Sequence, residues 1–462
     1  MDALAQYLNL YREHSDVLMA NAPEALNRPR PRAYERLMSA RLPRKGDEGY
    51  PALSVEEMFA PDYGVNLRRV PFGVEASEPF RCGVPNVSTL MAFVVNDSFR
   101  PTATLERNLP DGVEVMSLAR AAEIYPDVVA KHYDALAGAV KLIPTDPHST
   151  ADAVMQPSAV SVLNTLLCQD GVFVRVKAGV RCDKPLQIVN ISNASAPLLA
   201  VRRMLVIVED GASCSILTCD HAASHDVDYL NCQVTEAFLG RGASLDIYDL
   251  EESSARTARH AQLYARQDEG SEFTVNGTTL VGGRTRNSYY VELCGEHARA
   301  KLAGMAIGGD EQAVENATCV IHRAPKTESD QLFKNILDDK AEGAFYGSII
   351  VDEKADFTKA YQINRNIVAS PSARMHTRPQ LEIYCDEVKC SHGATVGQID
   401  ENAMFYMRQR GIPERQARMM LMQAFMADVI DTVSIPALKS RLAQLVELRL
   451  SGTRELCAAC ER

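Results

Sequence analysis

No run of apolar residues approaches the roughly 18 that a membrane-spanning helix needs, so no helical membrane anchor is expected. The opening Met1-Asp2-Ala3-Leu4 lacks the basic-then-apolar layout of a secretory signal, which makes the cytoplasm the expected location. Basic residues are in deficit: 49 Lys and Arg stand against 60 Asp and Glu, for a net charge of −11. A protein that lives on phosphate backbone normally carries a basic excess, so no nucleic-acid partner is expected. The standard nucleotide motifs are missing too. There is no G-x-x-x-x-G-K-[ST] and no strand-linked G-x-G-x-x-G, so ATP is not expected to bind this chain by those routes. H-E-x-x-H and G-x-S-x-G are also absent, which removes the simplest hydrolase readings. The 12 cysteines follow no repeating short spacing and read as reduced cytosolic thiols. The single C-x-x-C, Cys457 to Cys460, has no second pair nearby to complete the four ligands of a zinc site.

What is present is 462 residues of ordinary globular composition, 46% hydrophobic and 24% charged, enough for two or three units with a large core. Three textures divide the chain into 1–158, 159–397 and 398–462. The first is helical and mixed. Leu4, Leu8 and Tyr11 recur at helical spacing, and a second short helix is expected after Pro31, around Tyr34, Leu37 and Met38. Between them, Asn27-Arg28-Pro29-Arg30-Pro31-Arg32 interrupts any continuous helix and reads as a solvated loop. Met91 to Val95 is a short strand, Asn96-Asp97-Ser98 a turn, and Leu118 to Leu142 mostly helix. Prolines 144, 147 and 157 mark a boundary.

From about 160 to 395 the texture is β, with short Val, Ile, Phe and Tyr runs between Gly, Asn, Asp and Ser, and without long helical stripes. A weak repeat runs through it. Glycine opens a strand-like segment at Gly211, Gly242, Gly270 and Gly295, at intervals of 31, 28 and 25, and again at Gly343, 48 further on. Apolar or small residues follow three and five places later: Cys214 and Ile216, Leu245 and Ile247, Phe273 and Val275, Ala298 and Ala300. A turn glycine followed by period-2 alternation at such intervals suits a β-solenoid better than a sandwich, which requires no fixed repeat.

After Gly397 the helices return. Asp400 is placed to cap a helix from Glu401 to Arg410, Gly411 to end it in the left-handed conformation, and Pro413 to sit in the first turn of the next. That next helix carries Met420, Leu421, Ala424, Phe425 and Val429 as an apolar stripe. A last helix follows Ser434 and Pro436, with Leu438, Leu442 and Leu445 on one face. The methionines at 419, 420, 422 and 426 suit an adaptable docking surface and helix-on-helix packing equally well.

The segment richest in chemistry runs from Arg378 to Thr395. If residues 388–392 are extended, Val388, Cys390 and His392 share one face and Lys389 and Ser391 the other. Thiol and imidazole at i, i+2 then lie roughly 6.5–7 Å apart, a spacing that serves as two ligands for a soft metal or cluster. Two ligands do not close a site, so the remainder must come from elsewhere in the chain or from a partner. A packed cysteine beside a hydrogen-bonded histidine has the same spacing. Weaker candidates are His221 with His225, which would share a face only in a helix, and His297, Cys294, His322 and Cys319, which adjacent coils could bring together.

Taken together, these residues resemble the SufB/SufD family of iron–sulfur cluster assembly proteins, on its SufD side. The match is continuous from Pro379-Gln380-Leu381-Glu382-Ile383 through Val388-Lys389-Cys390-Ser391-His392-Gly393-Ala394-Thr395-Val396-Gly397 to Phe405-Tyr406-Met407-Arg408-Gln409-Arg410-Gly411-Ile412, and on to Ala424-Phe425. Weaker similarity covers Phe93 to Val115, Asp170 to Phe173, Pro185 to Ile188 and Gln362 to Asn366. The resemblance implies a right-handed parallel β-helix flanked by helical regions. It also implies a non-enzymatic subunit of a SufBCD-type complex, in which a SufC-like ATPase docks on the C-terminal helices of its partners. His392, with Cys390 beside it, takes the place of the family histidine that faces the SufB–SufD interface and helps build the nascent cluster. Phe405, Arg408, Arg410, Met420 and Phe425 are then the candidate partner-binding residues. Iron or a nascent cluster is the implied transient cargo, a homodimer is the alternative assembly in isolation, and the presence of a flavin is left open. One segment departs from the family: Glu48-Gly49-Tyr50-Pro51-Ala52-Leu53 keeps a single aromatic of the usual aromatic-Arg-Tyr-Thr run, and the chain has no tryptophan. Competing readings are a SufB-type cluster scaffold and a carbohydrate-active β-helix enzyme. The latter would need a carboxylate cluster on successive coils, which the sequence does not display.

Overall fold

The computed structural model describes residues 3–70, 89–139 and 158–452; Cys82, the three boundary prolines and the Cys457/Cys460 pair lie outside the described residues. The chain opens with helices α1 (Ala3–Ala20), α2 (Glu24–Asn27), α3 (Arg30–Met38) and α4 (Val55–Phe59). The double-proline stretch is not the solvated loop expected from its composition. Pro29 is the N-cap of α3 and Pro31 lies in its first turn, where a missing N–H costs nothing. Arg28 and Arg32 are exposed, but Arg30 is wholly buried.

Helices α5 (Ala103–Asn108), α6 (Leu118–Ile124) and α7 (Pro126–His132) follow, then a single 3-10 turn at Ala137–Ala139. The expected long helix is thus divided where Pro126 starts α7 and where Asp134 adopts φ +62°. Helix α8 (Ala159–Leu167) lies at the start of what reads as β sequence. All nine of its residues are buried, so no polar face marks a helical period, and its valines read as strand. Ser158 caps it by accepting from Ser161 N. At its other end Arg30 donates to the carbonyls of Leu166 and Cys168, the latter at 2.6 Å.

The centre is a parallel β-solenoid of about eight coils, built from two facing ten-stranded sheets. One sheet contains β1 (Gly64–Val65), β4 (Val113–Ser117), β5 (Val172–Val176), β7 (Leu198–Val208), β9 (Tyr229–Leu239), β11 (Thr257–Gln267), β13 (Arg284–Leu293), β15 (Ala313–His322), β17 (Glu342–Val351) and β19 (Arg374–Ile383). The other contains β2 (Leu90–Val95), β3 (Ser98–Pro101), β6 (Leu186–Ser192), β8 (Ser213–Ala222), β10 (Ser244–Glu252), β12 (Glu272–Val281), β14 (Arg299–Gly308), β16 (Glu328–Leu337), β18 (Lys359–Val368) and β20 (Lys389–Gly397). From β5 to β20 odd strands lie in the first sheet and even strands in the second, so each consecutive pair completes one coil. At the N-terminal end the first coil is closed by antiparallel β4 on β5 and by the β2–β3 hairpin on β6. At the other end β19 and β20 each pair on one side only.

The repeat read from glycines is real for three coils and then changes residue. Gly211, Gly242 and Gly270 have φ of +67°, +64° and +64°. In the next three coils the left-handed position is taken by His297, Lys326 and Phe357, at φ +61°, +57° and +62°. Gly295 is two residues early, and Gly343 lies inside β17 in the other sheet. Backbone bonds tie these turns together: Gly211 N to Arg241 O, Gly242 N to Glu269 O and Gly270 N to Glu296 O, each 2.8 Å. Apolar residues three and five places after the left-handed residue, such as Leu245, Ile247, Phe273 and Val275, fill the lumen between the sheets.

The flanking helices cover the outer faces. The N-terminal helices pack on the odd sheet over Leu230, Cys232, Tyr264 and Tyr290. The segment Glu48 to Leu53 lies across the same face, for Glu315 accepts from Ala52 N and Leu53 N at 2.7 and 2.9 Å, and Arg286 sits 3.7 Å over the Tyr50 ring. The C-terminal helices α9 (Glu401–Gln409), α10 (Glu414–Ile430) and α11 (Pro436–Leu450) belong to the even sheet. Asp400 caps α9 by accepting from Asn402 N and Ala403 N, and Gly411 has φ +85°. Pro413 is the N-cap of α10 rather than a residue of its first turn. The buried stripe of α10 runs through Ala417, Met422, Met426 and Val429, while Met420 and Ala424 of the expected stripe face outward.

Candidate functional site

The open end of the solenoid is formed by β19 and β20, the last strand of each sheet. Register fixes which of their side chains point into the lumen. On the even sheet one interior row passes from Leu186 through Ile216, Ile247, Val275 and Leu302 to Gln331, Gln362 and His392. The neighbouring row ends Ser329, Ala360, Cys390. Ala360 and Gln362 are buried, so Cys390 and His392 stand above them on the lumen side, while Lys389 and Ser391 are exposed on the other. His392 is exposed because no ninth coil covers it.

Cys390 is half-buried. Together with Leu381, Cys385 and Val388 it packs against a small cluster of Ile349, Val351, Ala355 and Ala360. Burial pushes the Cys390 thiol above its ordinary range; the Ala360 backbone opposes this and nearby Cys385 adds to it. Burial raises the Cys385 thiol in the same way. Both are therefore protonated at neutral pH, and ligating a metal through sulfur would release a proton. Across the mouth, Thr377 Oγ1 donates to Asn364 Oδ1 at 2.8 Å, joining β19 to β18. Below it, the Phe333 and Phe345 rings, 5.0 Å apart, fill the lumen.

The weaker sequence candidates do not converge. His221 is buried near the end of β8, and His225 is exposed in the following turn, with no helix to bring them onto one face. His322 is buried between Thr327 and Ser329, at 2.8 and 2.9 Å, as a hydrogen-bonded core residue. Cys319 faces the N-terminal helices, and His297 occupies a turn. Among the described residues no three His, Cys, Asp or Glu side chains gather as a metal site. The nine described cysteines are all free thiols.

The candidate partner residues lie on α9 and α10. Phe405 is 63% exposed, and Arg408, Arg410 and Met420 also face outward. Phe425 is different: it is half-buried, with the Lys334 ammonium 4.8 Å from its ring centre, and helps hold α10 on β16. Tyr406, 58% exposed, was not singled out from the sequence; the Arg410 guanidinium lies 4.9 Å from its ring centre and donates to its hydroxyl at 2.8 Å. Also unforeseen are Tyr361 and Ile363 on the outer face of β18 and Ile383 and Tyr384 at the end of β19, large apolar side chains left exposed near the open end. The alternation in Lys359–Val368 carried that signal, since polar Gln362, Asn364 and Asn366 take the interior positions and apolar residues the exterior. Open edges and exposed apolar patches of this kind mark association surfaces.

Comparison with known proteins agrees with the architecture. The family model described as SUF system FeS cluster assembly, SufBD core domain, matches residues 190–425, and the SufBD protein N-terminal region matches residues 1–188. An iron–sulfur cluster assembly SufBD family protein of Synechocystis is 27% identical over 90% of this chain and 89% of its own length. The iron–sulfur cluster assembly protein SufD of Escherichia coli is 30% identical over 63% of this chain and 69% of its own. A chloroplastic SufBD family protein of Arabidopsis thaliana is 23% identical over 91% and 76%. With a family model matching half of its length and a second matching the remainder of the N-terminal region, the chain belongs to the SufB/SufD family of iron–sulfur cluster assembly proteins.

Proposed function

We propose that the chain is a SufD-type, non-enzymatic subunit that helps to build iron–sulfur clusters at the open end of its solenoid. The observation that carries this reading is the placement of His392 and Cys390 on the lumen side of the last, unpaired coil. One imidazole and one thiol are an incomplete ligand set for iron, which suits a site completed by a second chain rather than a scaffold that holds a cluster alone. The free edges of β19 and β20 and the exposed Tyr361, Ile363 and Ile383 provide a surface for such a chain, of SufB-like type. In isolation the same surface suits a homodimer.

The nascent cluster is cargo here. His392 offers a ring nitrogen to iron, and Cys390 contributes sulfur once its proton has left. Their shared rung geometry sets the distance between the two donors. The second partner is a SufC-like ATPase docking on α9 and α10 through Phe405, Arg408, Arg410 and Met420, which provides the nucleotide chemistry this chain lacks motifs for. No helix among the described residues is long and apolar enough to cross a membrane, and the cytoplasm is the proposed location. The test is size-exclusion chromatography with light scattering on the full chain, alone and mixed with SufB-like and SufC-like proteins of the same source. A stable ternary complex supports the reading; failure to associate in every nucleotide state sinks it.

A further inference from the structure

The interior row that ends at His392 turns polar two rungs before it. Leu302 is followed by Gln331 and Gln362, both almost fully buried. The two amides share one hydrogen bond, Gln362 Nε2 to Gln331 Oε1 at 3.2 Å, which leaves Gln331 Nε2 and, one coil nearer the open end, Gln362 Oε1 with no partner. An unpartnered buried acceptor is destabilising, and a leucine continuing the row would avoid it. The opposite wall is shaped for this amide. A Cβ on Gly347 would stand 2.4 Å from Gln362 Nε2 and 2.7 Å from its Oε1, so the whole amide lies against this glycine. Thr377 and Asn364, the polar side chains at the same level, are bonded to each other. The residue in register with Gln362 on the last strand is His392.

We propose that Gln362 is the positioning residue for His392. Its Oε1 accepts the ring N–H of His392 when the site is engaged, so the other ring nitrogen turns its lone pair toward the open end. Paired residues on adjacent strands lie about 4.8 Å apart, within reach of a long amide and an imidazole. Histidines that bind metals almost always donate their second N–H to an oxygen acceptor, which fixes tautomer and orientation. The inference rests on the proposed role of His392 in cluster assembly.

The test uses the full chain assembled with its SufB-like and SufC-like partners, ferrous iron and a sulfide source, reading cluster yield and, separately, thermal melting. Three variants are compared: Gln362→Met, which keeps length and packing but removes the acceptor, Gln362→Glu, which keeps it, and His392→Ala. The expected result is a yield about tenfold lower for Gln362→Met and substantial recovery in Gln362→Glu, although both variants lose the bond to Gln331 and melt similarly. A Gln362→Met yield equal to wild type, beside a failing His392→Ala, overturns the positioning role and leaves the site standing. An equal loss of yield in Gln362→Met and Gln362→Glu also overturns it, because Gln362 would then be structural. A normal yield in His392→Ala overturns the proposed site and this inference together.

Discussion

Arg203 on β7 and Glu236 on β9, both without solvent exposure, meet at 2.6 Å beneath the N-terminal helices. Glu236 also accepts from the backbone N–H groups of Asp134, Leu136 and Ala137, at 2.8, 2.8 and 3.0 Å. Arg203 donates to Asn164 and Thr165 of α8, at 3.2 and 3.1 Å. One buried ion pair thus fastens the 3-10 turn and α8 to the solenoid. Removing Glu236 leaves buried Arg203 with only Asp134, 3.6 Å away, to balance it, so Glu236→Ala is expected to cost about 3 kcal/mol in urea unfolding. A loss below about 1 kcal/mol would show that the pair is not the fastening.

Arg30 performs the same task from the other direction. Its guanidinium satisfies carbonyls at the C-terminal end of α8, where a positive charge also meets the negative end of the helix dipole. Arg30→Met keeps the bulk and removes both effects. Its expected cost is about 3 kcal/mol, with earlier proteolytic cleavage in residues 20–40. Wild-type protection of that stretch would contradict the assignment.

Inside the lumen, Arg259 is shared by Asp220, Asp249 and Glu251, at 2.7, 2.6 and 2.8 Å. Burial pushes the Glu251 carboxyl up to about 8; Arg259 opposes this, and the charge of Asp220 reinforces it. The folded protein then keeps a proton that the unfolded chain releases near the ordinary carboxylate value of 4.5. Glu251 therefore contributes stability that is full below that value and is lost as pH rises through about 8. Relative to Glu251→Gln, the wild type should lose stability between roughly pH 5 and pH 9, read as urea midpoints. A difference between the two proteins that stays flat across that range would refute a raised carboxyl.

How much of this was legible follows from which signals are local. Asp400 and Gly411 declared the ends of α9 because capping and left-handed stops depend on one residue each. The solenoid showed itself through Gly211, Gly242 and Gly270. From His297 onward the same turn is made without glycine, and the repeat faded although the coils continue. Helix α8 was hidden by its complete burial, and Arg30 by a partner more than a hundred residues away. At the candidate site the shared face of Cys390 and His392 was legible from alternation alone, but that this face meets the lumen, and that Gln362 is in register with His392, depends on pairing between coils, which a single strand does not carry.

On the C-terminal helices, Phe405 and Tyr406 are the large aromatics turned outward. Replacing both with serine should leave the fold intact and weaken association with the proposed SufC-like ATPase partner by about 2 kcal/mol, roughly 30-fold. Isothermal titration gives the number. Affinity equal to wild type would move the docking surface elsewhere.

The central claim is that His392 at the open coil takes part in building the cluster. Its most direct measurement is the iron and sulfide content of the assembled complex after reconstitution, for wild type and His392→Ala. The account predicts that His392→Ala still forms the complex but holds at least about tenfold less cluster. Equal iron and sulfide in the two complexes would contradict it.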